Sequence, residues 1–342
     1  MVQPRNSMRI AVLTNAYPPQ ARGGAGRIAA LQVELLEKQG HDVHVWTTSL
    51  DWTAQPFWKR VMFHVRDLVW VHPYAAEIHA WQPEVLVTHN LTGAGFRTPR
   101  SVRAPHWVHV LHDVQLFYPL GLLVQEGSIT VLQKLATAVR GSAFGYPDVV
   151  VSPTRWLLDA HLRRGWFQGV QTAVIPNPAP AFTGSRQAGW NSVVKIMFVG
   201  RRTADKGGEI LRELQKTAKR PVEWKVIESG ATPEEILEEM RTSDILLVPS
   251  QIEENQPTVI LEAFACGLPV VASSRGGIPE TLGRAGILVD STDVADWWQG
   301  IERVLSRSRD HWSGHAEEAW RRHVPGRVLE ALLEVLKSNK KI

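Results

Sequence analysis

Short apolar runs recur along this chain, and a helical pattern separates most of them from the next. In the first half the runs are Arg9–Thr14, Asp42–Thr47, Val85–Thr88, Trp107–Leu111, Asp148–Val151 and Thr172–Ile175. Helical stretches such as Arg27–Gln39, Ser128–Phe144 and Arg155–Leu162 lie between them. Most of the runs are almost wholly apolar, as strands covered on both faces must be. Strand and helix in alternation mean a parallel sheet wrapped by helices. The pattern pauses over Asn177–Asn191, where Pro, Gly and small residues read as a linker with a boundary near residue 185. It then resumes with strands Val193–Val199, Glu223–Ile227, Ile245–Val248, Val270–Ala272 and Ile287–Val289, and with helices Gly208–Lys219, Pro233–Thr242 and Thr258–Cys266. The expectation is α/β: two Rossmann-like, doubly wound domains, 1–180 and 192–315, with 316–342 a helix crossing back to the first. Open parallel sheets bind ligands beyond the carboxyl ends of their strands. Two such domains are expected to face a central cleft, with the chemistry just after the strands.

Composition removes several classes of function. A chain of 342 residues, 44% apolar and 21% charged, suits two globular domains. One cysteine, Cys266, rules out a disulfide framework and a multi-cysteine zinc site, and points to a reducing compartment. Met1–Arg9 lacks the apolar core of a signal peptide. No run reaches the ~18 apolar residues of a membrane span. A cytoplasmic protein is expected, with peripheral contact at the inner face of a membrane left open. The net charge is +4, but Lys and Arg are dispersed, so no nucleic-acid surface is expected.

After the first strand, Gly23 and Gly24 open a helix whose amides a ligand could approach closely. His112 and Asp113 follow the strand ending at Leu111, where such a pair can hold a hydroxyl or steady developing charge. His89, after Val85–Thr88, is the second choice among 13 histidines. In the second half Val199-Gly200-Arg201 and Lys206-Gly207 set two cations on one loop, where they could converge on a pyrophosphate. The most specific run is Pro249 to Ala272. Glu254 and Glu262 stand eight positions apart in it. Thr258 can cap a helix that Gly267 ends. Free amides from Thr258 through Val259 to Ile260 would take a phosphate. Glu254 would lie above, near a sugar, and Glu262 one turn inside, near ribose hydroxyls. Glu253 leaves the register of Glu254 open by one residue.

These residues resemble glycosyltransferase family 4. The likeness is carried by Val199-Gly200-Arg201 with Lys206-Gly207, the Glu254/Glu262 spacing, Ala263–Ala272, Gly276-Gly277-Ile278-Pro279-Glu280 and Gly286-Ile287-Leu288-Val289. Looser matches are Tyr17-Pro18-Pro19 with Gly23-Gly24, Gly40-His41-Asp42-Val43, Leu111-His112-Asp113 and Ile175-Pro176-Asn177. The resemblance implies the GT-B fold and a retaining hexosyltransferase-like enzyme of polysaccharide or glycolipid assembly. It implies a nucleotide-diphosphate sugar donor, UDP- or GDP-linked, a glycan or lipid-linked acceptor, and no metal. It puts His112 and Glu254 at the reacting sugar, Gly24 by the phosphates, Arg201 and Lys206 on the diphosphate, and Glu262 on the ribose. The sequence departs from the family at Ile227-Glu228-Ser229-Gly230 and at Asn255-Gln256-Pro257, and one βα unit of the C-terminal domain is missing. An inactive GT-B protein that holds a nucleotide or glycan is the alternative, and a nucleotide-sugar epimerase or phosphorylase relative is a third reading.

The stretch with Trp52, Phe57, Trp58, Lys59, Arg60, Phe63 and Trp70 suits an interfacial helix. The plainer expectation is an amphipathic helix packed on the first sheet with its Trp residues in the core.

Overall fold

A computed structural model describes residues 7–19, 23–48, 55–117, 130–184, 189–218 and 220–338. The chain divides into two units. The first comprises the described residues up to Pro176 together with those from Gly326 on, and the second the described residues from Asn177 to Pro325.

The first unit alternates β1 (Arg9–Thr14), α1 (Gly24–Lys38), β2 (Asp42–Thr47), α2 (Phe57–Asp67), α3 (Tyr74–Trp81), β3 (Val85–Thr88), α4 (Thr98–Val102), β4 (His106–Val110), α5 (Val131–Phe144), β5 (Val149–Ser152), α6 (Arg155–Leu162) and β6 (Gln171–Val174). All pairings are parallel, in the order β2-β1-β3-β4-β5-β6. β3, β4 and β5 are buried throughout, whereas β2, at the edge, buries little beyond Trp46. α1 turns Ile28, Ala29, Gln32, Val33 and Leu36 to the core, the spacing of one helical face. α5 starts at a capping box, with Thr130 accepting from the Gln133 amide; the expected start at Ser128 lies outside the described residues.

The second unit contains β7 (Val194–Val199), α7 (Gly208–Thr217), β8 (Val222–Ile227), α8 (Pro233–Thr242), β9 (Ile245–Val248), α9 (Thr258–Ala265), β10 (Val270–Ser273), α10 (Ile278–Leu282), β11 (Gly286–Val289), α11 (Val294–Leu305) and α12 (Arg309–Trp320). Its parallel sheet has the order β11-β10-β9-β7-β8. Strand alternation feeds two cores. Ile196, Phe198, Ile245 and Leu247 meet Leu211, Trp297 and Ile301 on one face. Met197, Leu246, Val248 and Val270 meet Phe264, Leu282 and Ala316 on the other.

Three expectations change here. The stretch from Asn177 is packed rather than loose over its described part. The Ala179 amide donates to the His323 carbonyl at 2.8 Å, and the Thr183 amide to the Ala265 carbonyl at 2.7 Å. Residues 316–325 stay with the second unit, because α12 gives Ala316 and Ala319 to its core. The return to the first unit is made by α13 (Pro325–Lys337), which inserts Val328, Leu329, Leu332, Val335 and Leu336 beside Ile10, Val12, Val108 and Val151.

The third change concerns α2. Its aromatic face does not sit in the core: Trp58 is 57% exposed and Met62 and Val65 are each 62% exposed. Among its described side chains only His64 and Asp67 are buried, His64 against Phe96 and Asp67 accepting from the Gly93 amide at 2.6 Å. Trp52 and the side chains of Phe57 and Arg60 lie outside the described residues. Among the described residues no helix is long and apolar enough to cross a membrane.

Candidate active site

In each sheet the direction of winding reverses once, between β1 and β3 in the first and between β7 and β9 in the second. Crevices for ligands form beyond the strand ends at such points. In the second unit, β7 ends at Val199 and the chain turns at Gly200, whose φ is 143°. A 3-10 turn (Ala204–Lys206) leads to Gly207 in the left-handed region, φ 76°. A Cβ at Gly207 would stand 2.0 Å from the Pro249 carbonyl oxygen, and one at Gly208 2.4 Å from that of Arg202. The loop after β7 is therefore pressed against the loop after β9, and the Gln251 amide donates to the Asp205 carbonyl at 2.8 Å.

That contact brings Lys206 to Glu254. Lys206 Nζ lies 2.5 Å from Glu254 Oε1, and Ser250 Oγ donates to the same oxygen at 2.9 Å. The pair is half-buried, with the two side chains 33% and 16% exposed. A second turn holds Glu254 from behind. Its carbonyl accepts from the Gly277 amide at 2.7 Å, and a Cβ on Gly276 would lie 2.1 Å from that oxygen. Glu253 accepts from the Gly276 amide, so the two adjacent glutamates separate: Glu253 braces the turn and Glu254 meets Lys206. Arg201 does not join this pair. Its guanidinium is 63% exposed and lies 3.8 Å from Asp205 Oδ2.

α9 begins differently from the expectation. Pro257, at φ −60° and ψ 120°, occupies the capping position, and no side chain caps the helix. Thr258 is the first helical residue, because the proline ring already holds φ where the cap needs it. The Ile260 amide donates to the Pro257 carbonyl at 3.1 Å. The first-turn donors without an intrahelical acceptor are thus Thr258 and Val259, one fewer than the sequence suggested. Glu262 lies one turn on, 3% exposed. Gln256 is buried, and its side-chain oxygen accepts from the Asn177 amide at 2.7 Å. The departure at Asn255-Gln256-Pro257 therefore has a packing role. Burial raises the Cys266 thiol to about 11, which keeps it protonated.

In the first unit α1 starts at Gly24 with Gly23 as its cap. It has no side-chain cap and no acidic residue in the first turn. A Cβ on Gly23 would meet nothing within 4 Å, and its carbonyl accepts from the Arg27 amide at 3.2 Å. The loops after β3 and β4 are joined by side-chain pairs. His89 Nδ1 lies 2.7 Å from His112 Nε2, and Asn90 Nδ2 donates to Asp113 Oδ2 at 2.8 Å. The Gln115 amide also donates to Asp113, and the Asn15 amide after β1 donates to the Asn90 carbonyl at 2.8 Å. Burial lowers His112 to about 4. It lowers His89 well below its ordinary value, with His112 and His109 adding to the effect. Burial also raises Asp113 to about 6, against the hydrogen bonds from Gln115 and Asn90. At neutral pH both imidazoles are neutral beside a mostly ionised carboxylate.

The two histidines that the sequence ranked first and second are thus direct partners. Asn15, Asn90 and Ser250 were given no role from the sequence, and Gly276 entered only within the Gly276–Glu280 motif. The first three share one signal: a polar residue just past a strand end. Among the described residues no group of three or more His, Cys, Asp and Glu side chains is placed to hold a metal ion.

Comparison with known proteins bears on the same two units. Residues 23–178 match the family described as Glycosyl transferase 4-like domain, and residues 181–307 match Glycosyl transferases group 1. D-inositol 3-phosphate glycosyltransferase of Corynebacterium jeikeium is 32% identical over 161 residues, 46% of this chain and 32% of that protein. The protein of that name in Mycolicibacterium smegmatis is 42% identical over 76 residues, 22% and 17% of the respective lengths. The aligned stretches span about a third or less of those relatives. Sucrose-phosphate synthase from Thermosynechococcus elongatus superposes with a TM-score of 0.71 at 17% identity, covering 95% of this chain and 98% of that one. Anabaena HepE in complex with UDP and glucose superposes with a TM-score of 0.62 at 16% identity, covering 97% and 100%. At those identities the likeness is one of fold. With one family match on each unit and a fold shared with glycosyltransferases, the chain belongs to glycosyltransferase family 4 and has its GT-B fold.

Proposed function

We propose that the chain is a retaining glycosyltransferase that moves a sugar from a UDP- or GDP-linked donor to a glycan or lipid-linked acceptor. The observation that carries this reading is the Lys206–Glu254–Ser250 cluster beside the open first turn of α9, at the point where the second sheet reverses. A diphosphate would compete with Glu254 for Lys206 and accept from the Thr258 and Val259 amides, with the exposed Arg201 free to swing onto it. Glu254, released from Lys206, would then bond hydroxyls of the donor sugar, and Glu262 the ribose. These fixed donors would neutralise the charge that builds on the leaving diphosphate, so no metal is required for that step. By the family resemblance, His112 would act at the sugar and the Gly23–Gly24 turn at a phosphate. Retention would follow from acceptor attack on the face that the diphosphate leaves. HepE was crystallised with UDP and glucose, which supports a nucleotide-sugar donor here. The test is thermal stabilisation by UDP, GDP and ADP in the presence of chelator. One diphosphate should raise the melting temperature of the parent and not of Lys206→Ala; equal shifts in both would remove Lys206 from the site.

The partner on the acceptor side would be an anionic lipid surface. α2 exposes Trp58, Val61, Met62, Val65 and then Val69 along one face, and α5 exposes Val131, Leu135 and Val139. The helices neighbour each other through Phe96, which touches His64 of α2 and Phe144 of α5. Residues 55–67 and 131–144 contain Lys59, Arg60, Arg66, Lys134 and Arg140, and their one acidic residue, Asp67, is buried. An apolar stripe among basic residues suits the boundary of an anionic bilayer, whereas a second copy would bring like charges together. Flotation with phosphatidylglycerol vesicles, but not with phosphatidylcholine alone, is expected for the parent and lost in Trp58→Ser/Lys59→Glu. A parent that stays down with both vesicles would dispose of the idea.

A further inference from the structure

A groove of about 760 Å³ opens on the second unit between the end of α7 and α11. Ser192 and Pro221, which line it, stand just before β7 and β8. They lie at the ends of the parallel strands opposite to those from which the Lys206 and Glu254 loops depart. α11 has two working faces. Trp297, Ile301 and Val304 go to the core. Ala295, Trp298, Gln299 and Glu302, at the i, i+3, i+4, i+7 spacing of one helical face, line the groove. Trp298 is half-buried, and its ring is held in place. Its Nε1–H donates to Thr217 Oγ1 at 3.1 Å, and the Thr217 hydroxyl donates on to the Glu213 carbonyl at 2.8 Å. The Trp224 ring stands at 78° to it, with centroids 6.2 Å apart.

A fixed indole with planar polar side chains beside it can hold a sugar ring. The C–H face of a pyranose packs on the indole, and amide, carboxylate and guanidinium groups bond its hydroxyls. Trp298 supplies the first part, and Gln299, Glu302 and Arg220 the second. Arg220 Nη1 lies 3.4 Å from Glu302 Oε1 and 3.5 Å from Oε2, and the two side chains are 40% and 56% exposed. A pair so loose and exposed gives up little when hydroxyls take its place. Charge argues against other ligands. Asp293 and Glu302 outnumber Arg220 among the lining residues, so a phosphate or nucleotide is disfavoured, and the mixed signs leave too weak a field to hold a ligand by charge alone. We propose that this groove is a second, non-catalytic site for a neutral oligosaccharide, stacked on Trp298 and hydrogen-bonded to Gln299, Glu302 and Arg220. Its volume falls within the roughly 300–1,000 Å³ of small-molecule sites. A glycan bound there is tethered to the protein without occupying the donor site. The inference goes beyond the reading of the chain as a glycosyltransferase and does not depend on it.

The Trp298 indole N–H reports on the groove directly. In full-length protein labelled with nitrogen-15 at the tryptophan indoles, the resonance missing from Trp298→Phe identifies it. Maltopentaose, cellopentaose, mannopentaose and xylopentaose are added in turn up to millimolar concentration, with UDP and a lysine-rich peptide as charged probes. At least one pentasaccharide is expected to shift that resonance saturably, and to do so equally at about 0.5 M salt, where exposed charges are screened. Gln299→Ala/Glu302→Ala, at two exposed positions, should weaken that binding about tenfold or more with the melting temperature unchanged. Lys206→Ala should bind the sugar as the parent does. A resonance that no pentasaccharide moves overturns the inference, as does one moved only by UDP or by the peptide. So does a shift that is lost in salt or in Lys206→Ala, or that the double variant shows at the parent's affinity. If a pentasaccharide moves Trp298 while no donor is turned over, the glycosyltransferase reading fails and the groove stands.

Discussion

Lys206 and Glu254 come from loops that follow different strands, and glycines set their separation. At Gly207 and Gly276 a side chain has no room, its Cβ standing 2.0 Å from Pro249 O and 2.1 Å from Glu254 O respectively. Both have positive φ, 76° and 59°. Gly276→Ala is expected to cost upwards of ~1 kcal/mol in urea unfolding and to displace Glu254. Gly23→Ala should behave in the opposite way. It has open space and φ −76°, so stability should change by less than about 0.5 kcal/mol, while nucleotide affinity falls if a phosphate approaches that turn. A large stability loss at Gly23 would show that the turn is packed. The Glu254/Glu262 spacing was legible because both residues lie in one continuous stretch. The role of Glu253 was not, since it depends on Gly276, which is distant in sequence. Nor was the His89–His112 contact, which exists only once β3 and β4 pair with Val87 opposite Val108.

At the scale of elements, strand and helix positions were largely written in local pattern. β1, β2, β3, β9, α6 and α8 run between the residues that the apolar periodicity marks. Which face of a helix is covered was not, because that depends on neighbours supplied by distant sequence. α2 has a clear apolar stripe, yet its inward contacts are His64 and Asp67. α13 is the reverse case, a terminal helix whose apolar face completes the first unit's core. Burying a large apolar side chain contributes about 1.5–3 kcal/mol, so its five core residues together rival the ~5–15 kcal/mol stability of a domain. Leu332→Ala should cost about 2–5 kcal/mol, and a chain ending before Gly326 should lose the cooperative unfolding of the first unit. Circular dichroism melts would check both; a truncated chain that melts like the parent would mean that α13 is dispensable.

For the whole molecule, the buried histidines make stability depend on pH. His109 is lowered to about 3, and His112, His161 and His323 to about 4, in every case chiefly by burial. Unfolded histidine titrates near ~6.5. Between those values the unfolded chain binds more protons than the folded one. Stability is therefore full above about pH 6.5 and falls as pH drops toward 4, each group contributing up to ~1.4 kcal/mol per pH unit. Asp113, raised to about 6, and Asp67, also raised by burial, act with the opposite sign, their folded forms favouring the proton as pH falls, but they are two groups against four. Urea midpoints should fall between pH 6.5 and 4, and His161→Gln, at a fully buried site, should flatten that decline. Midpoints that rise on acidification would contradict the neutral-histidine assignment.

The proposed role of the second unit's Lys206–Glu254 site is to activate a nucleotide sugar. The most direct measurement is nucleoside diphosphate release from a panel of UDP-, GDP- and ADP-sugars, with chelator present and with glycan and lipid acceptors supplied. Release from one donor, reduced about 100-fold or more in Lys206→Ala and in Glu254→Ala while both stay folded, is the expected result. Release that both variants retain at the parent's rate, or no release from any donor with any acceptor, would contradict it.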